Sequence, residues 1–275
     1  MKEGQFLTRS QAKEALYPGV PDWSNARLCG VVAKKLGAHV DEPTLDRWDA
    51  SFRLVRIMDD VLDGDIVLPS EESFTTSDIP AACDYFRNDS DDFEGPVVMQ
   101  EFFRDAQKTL RESGMTEQMR HDFATNLQDI WDQEEVVQGA PTLDALVAAR
   151  CASSISQARF QADLMTDERP EIRNQVAKKL GAIWSAGSIY DLALDAKKDQ
   201  EDGLVRASIT QRDRAHLMAS TRAFYPEVKA VLTPELIRMM AGKTVLRAVN
   251  RGGKLAFLWD GSRNEKHTPL QTKTA

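Results

Sequence analysis

The chain has 275 residues, 42% of them hydrophobic and 28% charged, a composition that fits a folded protein and excludes a disordered one. Its formal net charge of −8, with no basic run to offset the acid, argues against non-specific nucleic-acid binding. Cys29, Cys83 and Cys151 lack CxxC spacing and read as reduced thiols. The opening MKEGQFLTRSQ has no apolar core of a signal peptide and no apolar run reaches membrane-spanning length, so a soluble cytoplasmic protein without a transmembrane segment is expected.

Apolar residues recur at three- and four-residue steps over eight stretches: 24–36, 43–63, 96–113, 116–138, 142–165, 170–200, 208–224 and 233–250. Gly37, Gly64, Gly114, Gly139 and Gly203 fall just past predicted helix ends, and Pro43 and Pro170 lie near predicted starts. Between the second and third helices, 64–95 reads as a long acidic loop interrupted by a short helix around Ala81–Phe86. Asn264–Ala275 reads as a polar tail, and alternating strand-like runs are nearly absent. The expectation is one all-α domain spanning residues 1–275.

Two groups of aspartates interrupt this pattern. In the second helix the stripe Leu45, Trp48, Phe52, Val55 runs into Asp59-Asp60-Val61-Leu62-Asp63. Helical spacing aims Asp59 and Asp63 where the earlier turns aim apolar side chains. In the sixth, Leu180, Trp184 and Gly187 run into Asp191, Asp195 and Asp199, spaced i, i+4, i+8, with Lys198 beside the last. A carboxylate on an apolar face is costly unless a cation satisfies it, and an oxygen-only ligand set suits magnesium. Acids at this spacing also occur on solvated helix faces; two such groups, far apart in sequence and both on apolar stripes, favour the metal reading. A third helix carries Leu143, Leu146 and Val147 into Arg150, which either pairs with a nearby acid or donates in two-pronged fashion to phosphate oxygens.

At these residues the chain resembles the class I isoprenoid synthases: trans-prenyltransferases, squalene and phytoene synthases, and terpene cyclases. Asp59-Asp60-Val61-Leu62-Asp63 is similar to their DDxxD motif, and Asp191 to Asp199 has the spacing of the cyclases' second metal motif, N/D-D-x-x-S/T-x-x-K-E. Arg150 in TLDALVAARCASSIS is similar to the diphosphate-sensing arginine, and Trp259 and Arg263 in LWDGSRN echo a C-terminal W…RY segment. The run DLALDAKKDQEDG also resembles small bacterial prenyltransferases that build phosphoglycolipids.

The resemblance implies a single helical bundle around a deep apolar cavity. It implies an enzyme that ionises an allylic prenyl diphosphate with Mg2+, three ions being expected and Mn2+ able to substitute. The metal ligands would be Asp59, Asp60, Asp63, Asp191, Asp195 and Asp199, and the diphosphate would be held by Arg150, Lys198 and Arg263. The implied activity is that of a terpene synthase, with transfer to a second prenyl diphosphate or a polar acceptor as the alternative and a homodimer left open. Departures from the pattern are Asp195 for Ser/Thr, Asp199 for Glu, Asn264 for tyrosine, and an aromatic content of 7%.

Other chemistries fit less. His121-Asp122 suggests a metal phosphohydrolase, but His39, His216 and His267 lie on no metal-ligand stripe. The Glu-x-x-His pairs of a di-iron bundle are missing. Glu134-Glu135 reads as a solvated helix end. Ser153, Ser154, Ser156, Gln157, Arg159 and Gln161 make the helix beyond Arg150 unusually polar. Were Ser154 and Gln157 to face inward, they could anchor a polar acceptor. A helical adaptor without activity would be expected to have lost Asp59, Asp63 or Arg150.

Overall fold

The computed structural model describes residues 25–62, 68, 72–166, 169–201, 207 and 209–237, the side chains of 60, 194–201 and 211 excepted. Helices make up most of these residues, with no strand among them. The elements are α1 (Asn25–Lys35), α2 (Glu42–Leu62), α3 (Ile79–Arg87), α4 (Val97–Glu112), α5 (Glu117–Gly139), α6 (Leu143–Asp163), α7 (Pro170–Glu201), α8 (Gln211–Ser220) and α9 (Tyr225–Val231). Short 3-10 turns precede α3 at Thr76–Asp78 and α9 at Thr221–Phe224. No helix among the described residues is long and apolar enough to cross a membrane.

Local chemistry sets the helix ends. Asp41 starts α2 by accepting from the Thr44 N–H at 2.9 Å and the Thr44 hydroxyl at 2.5 Å. Thr116 and Thr142 accept from the third residue of α5 and α6, and Thr210 with Asp213 forms a reciprocal box at α8. Gly37 (φ 79°) and Gly114 (φ 72°) end α1 and α4 in the left-handed conformation that glycine adopts without strain. The predicted helix over 208–224 stops at Ser220, where the chain tightens into a 3-10 turn before Pro226 opens α9. Of the predicted 233–250 helix, 234–237 is helical and the remainder lies outside the described residues.

Packing divides into two apolar clusters. The larger joins α1 to α7 and α9 and includes Trp48, Leu54 and Met58 of α2. Phe86, Phe103, Phe123 and Phe160 form a connected set of rings within it, with neighbouring centroids 4.9–5.4 Å apart. The smaller cluster gathers Val137, Leu146, Ala149, Ile189, Leu192, Ile209 and Leu217, at the end of the bundle where α5 finishes and α6 begins.

The bundle also contains a polar core, which the stripe read from sequence did not anticipate. The fully buried face of α2 centres on Arg47, Ser51, Leu54 and Met58, while Phe52, Val55 and Asp59 form its half-buried flank. Arg47 donates from Nε to Leu164 O at 2.8 Å, from Nη1 to Ser113 O at 2.5 Å and from Nη2 to the Thr44 hydroxyl at 3.0 Å. Burial lowers its pKa, opposed by Asp41 and Asp46. Trp48 Nε1 donates to Gln161 O at 2.6 Å, and the Ser51 hydroxyl donates to Gln161 Oε1 at 3.2 Å. These bonds lock α2 onto the C-terminal end of α6.

Candidate functional site

Three contacts fix the register of α2, α6 and α7. Phe52 of α2 meets Trp184 of α7 edge to face, ring centroids 6.0 Å apart. The Arg169 guanidinium, just before α7, donates to Gly37 O just before α2 at 2.8 Å, so the two helices start at the same end and run parallel. Helix α6 runs against both. Its Gln161 lies by Trp48, Ile155 and Ala158 are the neighbours of Gly181, and Cys151 lies beside Ser185.

From that frame the positions of the aspartates follow. Asp59 comes seven residues after Phe52 and Asp191 seven after Trp184. Seven residues make nearly two turns, so each carboxylate returns to the face of its aromatic residue about 10.5 Å further along. Equal spacing from the Phe52–Trp184 contact thus implies a similar level for the two aspartates on the two parallel helices. Both are half-buried. Between them and the aromatic contact lie half-buried Val55 and Gly187, and a Cβ built on Gly187 meets nothing within 4 Å.

Arg150 precedes Cys151 and so comes level with the turn of α7 between Trp184 and Asp191. It shares a stripe with Ser154, Gln157 and Gln161, and Gln161 is the residue that reaches Ser51 of α2. Its guanidinium Nη1 stands 3.4 Å from the Glu134 carboxylate of α5. Asp59 likewise has a cation beside it, Arg56 Nη1 at 3.2 Å. Glu134 is not the solvated helix end expected from sequence: its side chain is 24% exposed and supplies the counter-charge of Arg150. The signal for both partners was present, since Arg56 stands three residues before Asp59 and Glu134 three after the buried Trp131.

Asp60 and Asp195, Lys198 and Asp199 lie on α2 and α7 with side chains outside the described set; Asp63 and Arg263 lie outside the described residues altogether. Among the described residues no group of three or more His, Cys, Asp or Glu side chains could hold a metal ion. Asp59 and Asp191 are the two expected ligands whose surroundings are described. Of the polar residues on α6, Ser153, Ser154 and Gln161 are buried, Ser156 and Gln157 half-buried and Arg159 exposed. The Ser154 hydroxyl is spent on Arg150 O at 2.8 Å.

The thiols offer no nucleophile. Cys29 and Cys83 are buried, and burial, opposed by Arg87, pushes the Cys83 thiol up to about 12. Burial also raises Cys151, against the Ser185 hydroxyl beside it. Comparison with protein-family models, with curated proteins and with solved structures gives no match to this chain.

Proposed function

We propose that α2 and α7 border a cleft, beside Asp59 and Asp191, that binds an allylic prenyl diphosphate and promotes its ionisation, with the freed carbocation cyclising or rearranging as in a class I terpene synthase. The observation that carries this reading is the Phe52–Trp184 contact. It joins the two helices that lead into the acidic motifs, over 130 residues apart in sequence, and Asp59 and Asp191 each stand seven residues beyond it. Solvated acidic faces have no reason to share such a register.

Asp59 and Asp191, joined by Asp60, Asp63, Asp195 and Asp199, form an all-carboxylate donor set that suits magnesium. Bound magnesium would supply positive charge to neutralise a diphosphate leaving group. Arg150 exchanges Glu134 for the diphosphate, its fork fitting two phosphate oxygens. Lys198 and Arg263 are assigned to the same anion by the sequence pattern. Val55, Phe52 and Trp184 offer the prenyl chain an apolar wall below the acids, and the missing side chain at Gly187 leaves room for it. Such walls keep water from the carbocation.

A second reading, transfer of the prenyl cation to a polar acceptor, is favoured by one observation. Ser154 and Gln157 lie on the Arg150 stripe, and the connected phenylalanines are committed to the core. Incubation with magnesium and C10, C15 or C20 prenyl diphosphates, with and without nucleophilic acceptors, tests both by mass spectrometry. A cyclic or linear hydrocarbon or alcohol from one substrate supports the synthase. Slow hydrolysis rescued by an acceptor supports the transferase. Full turnover in excess chelator would overturn both.

A further inference from the structure

A cavity of about 540 Å3 opens between α6 and α7, with Asn126 of α5 and Phe224 also on its wall. Its α6 residues, Ile155, Arg159 and Ala162, are turned well away from the stripe that carries Arg150 and meets α2. It is therefore separate from the cleft between α2 and α7. Its volume lies within the range of small-molecule sites.

The wall carries more positive charge than it neutralises. Asp163 is half-buried and accepts from Asn126 Nδ2 at 3.2 Å. Arg159, one turn earlier on α6, and Arg173 of α7 both act on that carboxyl through their charge. Neither guanidinium closes an ion pair among the described residues. Lys178, on the same wall, is engaged by Glu227 at 3.0 Å. Two planar forks thus remain for a ligand, with the Asn174 side chain beside them. The floor is apolar and low, formed by Ala162, Ala177 and Gly181. A Cβ at Gly181 would meet Ile155 and Ala158 at ordinary contact distances of 3.5 and 3.6 Å, so helix packing alone does not demand the bare floor.

We propose that this cavity binds a small phosphate monoester, its phosphate held by Arg159 and Arg173 and its short apolar body resting on the Ala162–Ala177–Gly181 floor. Two guanidiniums against the single Asp163 carboxyl leave an excess of positive charge. The three terminal oxygens of a phosphate monoester can accept from both forks, which suits this pair better than the two oxygens of a monocarboxylate. The guanidinium fork matches phosphate oxygens in two-pronged geometry. The site needs no metal and no residue of the α2–α7 cleft.

The test is calorimetric titration of the full chain with n-butyl phosphate in excess chelator, with n-butanol as the uncharged control. Saturable binding of the phosphate and none of the alcohol is expected. Arg159→Gln and Arg173→Gln should each weaken binding by about tenfold, the loss of a charge-assisted hydrogen bond. Asp163→Asn, which keeps a partner for Asn126 and removes the one opposing charge, should tighten it. Asp191→Asn should leave it unchanged. Absence of saturable binding overturns the proposal. So does binding indifferent to both arginines, and so does binding lost with Asp191, which would place the anion in the other cleft.

Discussion

The two ends of the α2–α6–α7 unit treat buried charge in opposite ways. At one end Arg47 has no exposed surface, and two carbonyls and a hydroxyl accept from all three of its guanidinium nitrogens. At the other, Arg150 and Asp59 are only half-buried, and their ion-pair partners are Glu134 at 3.4 Å and Arg56 at 3.2 Å. A fully buried charge whose every nitrogen is engaged by the protein belongs to the scaffold. A half-buried charge in a partly exposed ion pair can change partners at little cost, because such a pair is worth about 0–1 kcal/mol. The difference separates the end that holds the helices from the end where the proposed chemistry would act.

The largest effect should come from the scaffold end. Arg47→Met strands the carbonyls of Leu164 and Ser113 and should cost about 3–5 kcal/mol, at about 1–3 kcal/mol for each buried group left unsatisfied. Denaturant midpoints measure it. A loss no larger than that of an exposed arginine such as Arg27 would break the comparison. At the other end the sign of the experiment reverses. Asp59→Asn and Asp191→Asn should each slow turnover by about a hundredfold or more, the scale for removing a preorganised charge-stabilising group. The melting temperature should barely move. Asp105→Asn, which touches only Arg53 on the surface, is the control. Equal, mild effects at all three would return the aspartates to the solvated surface.

Acid titration sharpens the contrast at the scaffold end. Burial pushes the Asp41 carboxyl up, but the Thr44 hydroxyl and N–H together with Arg47 outweigh it, and its pKa is lowered. Its contribution to stability is present above the unfolded carboxylate value of about 3.9 and is lost as the pH falls through the folded value. Asp163 has the opposite sign, since burial raises it despite the hydrogen bond from Asn126. Its contribution is present below the unfolded value and disappears as the pH rises through the folded one. Asp41→Ala should therefore cost about 1 kcal/mol at neutral pH, in the range of other helix caps, and lose that penalty in acid. Asp163→Asn should stabilise at neutral pH and not in acid. Melting curves from pH 3 to 7 read both.

Smaller effects probe the cleft itself. Gly187→Ala should raise stability by about 0.5–1 kcal/mol, because the site is helical and its Cβ would meet no neighbour. Gly187→Leu should lower turnover by filling the room left for the prenyl chain, while the fold persists. Last, Glu134→Gln should release Arg150 and lower the KM for the diphosphate by up to about fivefold, matching the small worth of a partly exposed pair. An unchanged KM would mean that Arg150 does not exchange partners.

Helices α1, α2 and α4 to α7 were legible within a few residues because each buries one stripe and has a recognisable end. The short α3 was also readable, though Ile79 and Pro80 extend it beyond the expected start. The true burial of α2 was not legible. Arg47 and Ser51 sit at its centre, and a charged or hydroxylated residue beside an apolar stripe reads as its border until its partners, 66 and 110 positions away, are known. The acidic motifs were visible at once, but the pairing of their helices was not, because it depends on which aromatic residues meet. Glu134 shows the same gap: its spacing was readable, its closeness to Arg150 was not.

Trp184 gives the molecule a built-in optical gauge. Its indole meets Phe52 edge to face with a buried N–H that has no hydrogen-bond partner among the described residues, two turns below Asp191 on the same face. Emission from such a ring responds to local polarity, so water entering as α2 and α7 part would shift it to the red. Occupancy of the cleft by an apolar chain would shift it to the blue. Trp48, with its N–H fixed on Gln161 O at the opposite end, supplies an internal reference insensitive to that motion.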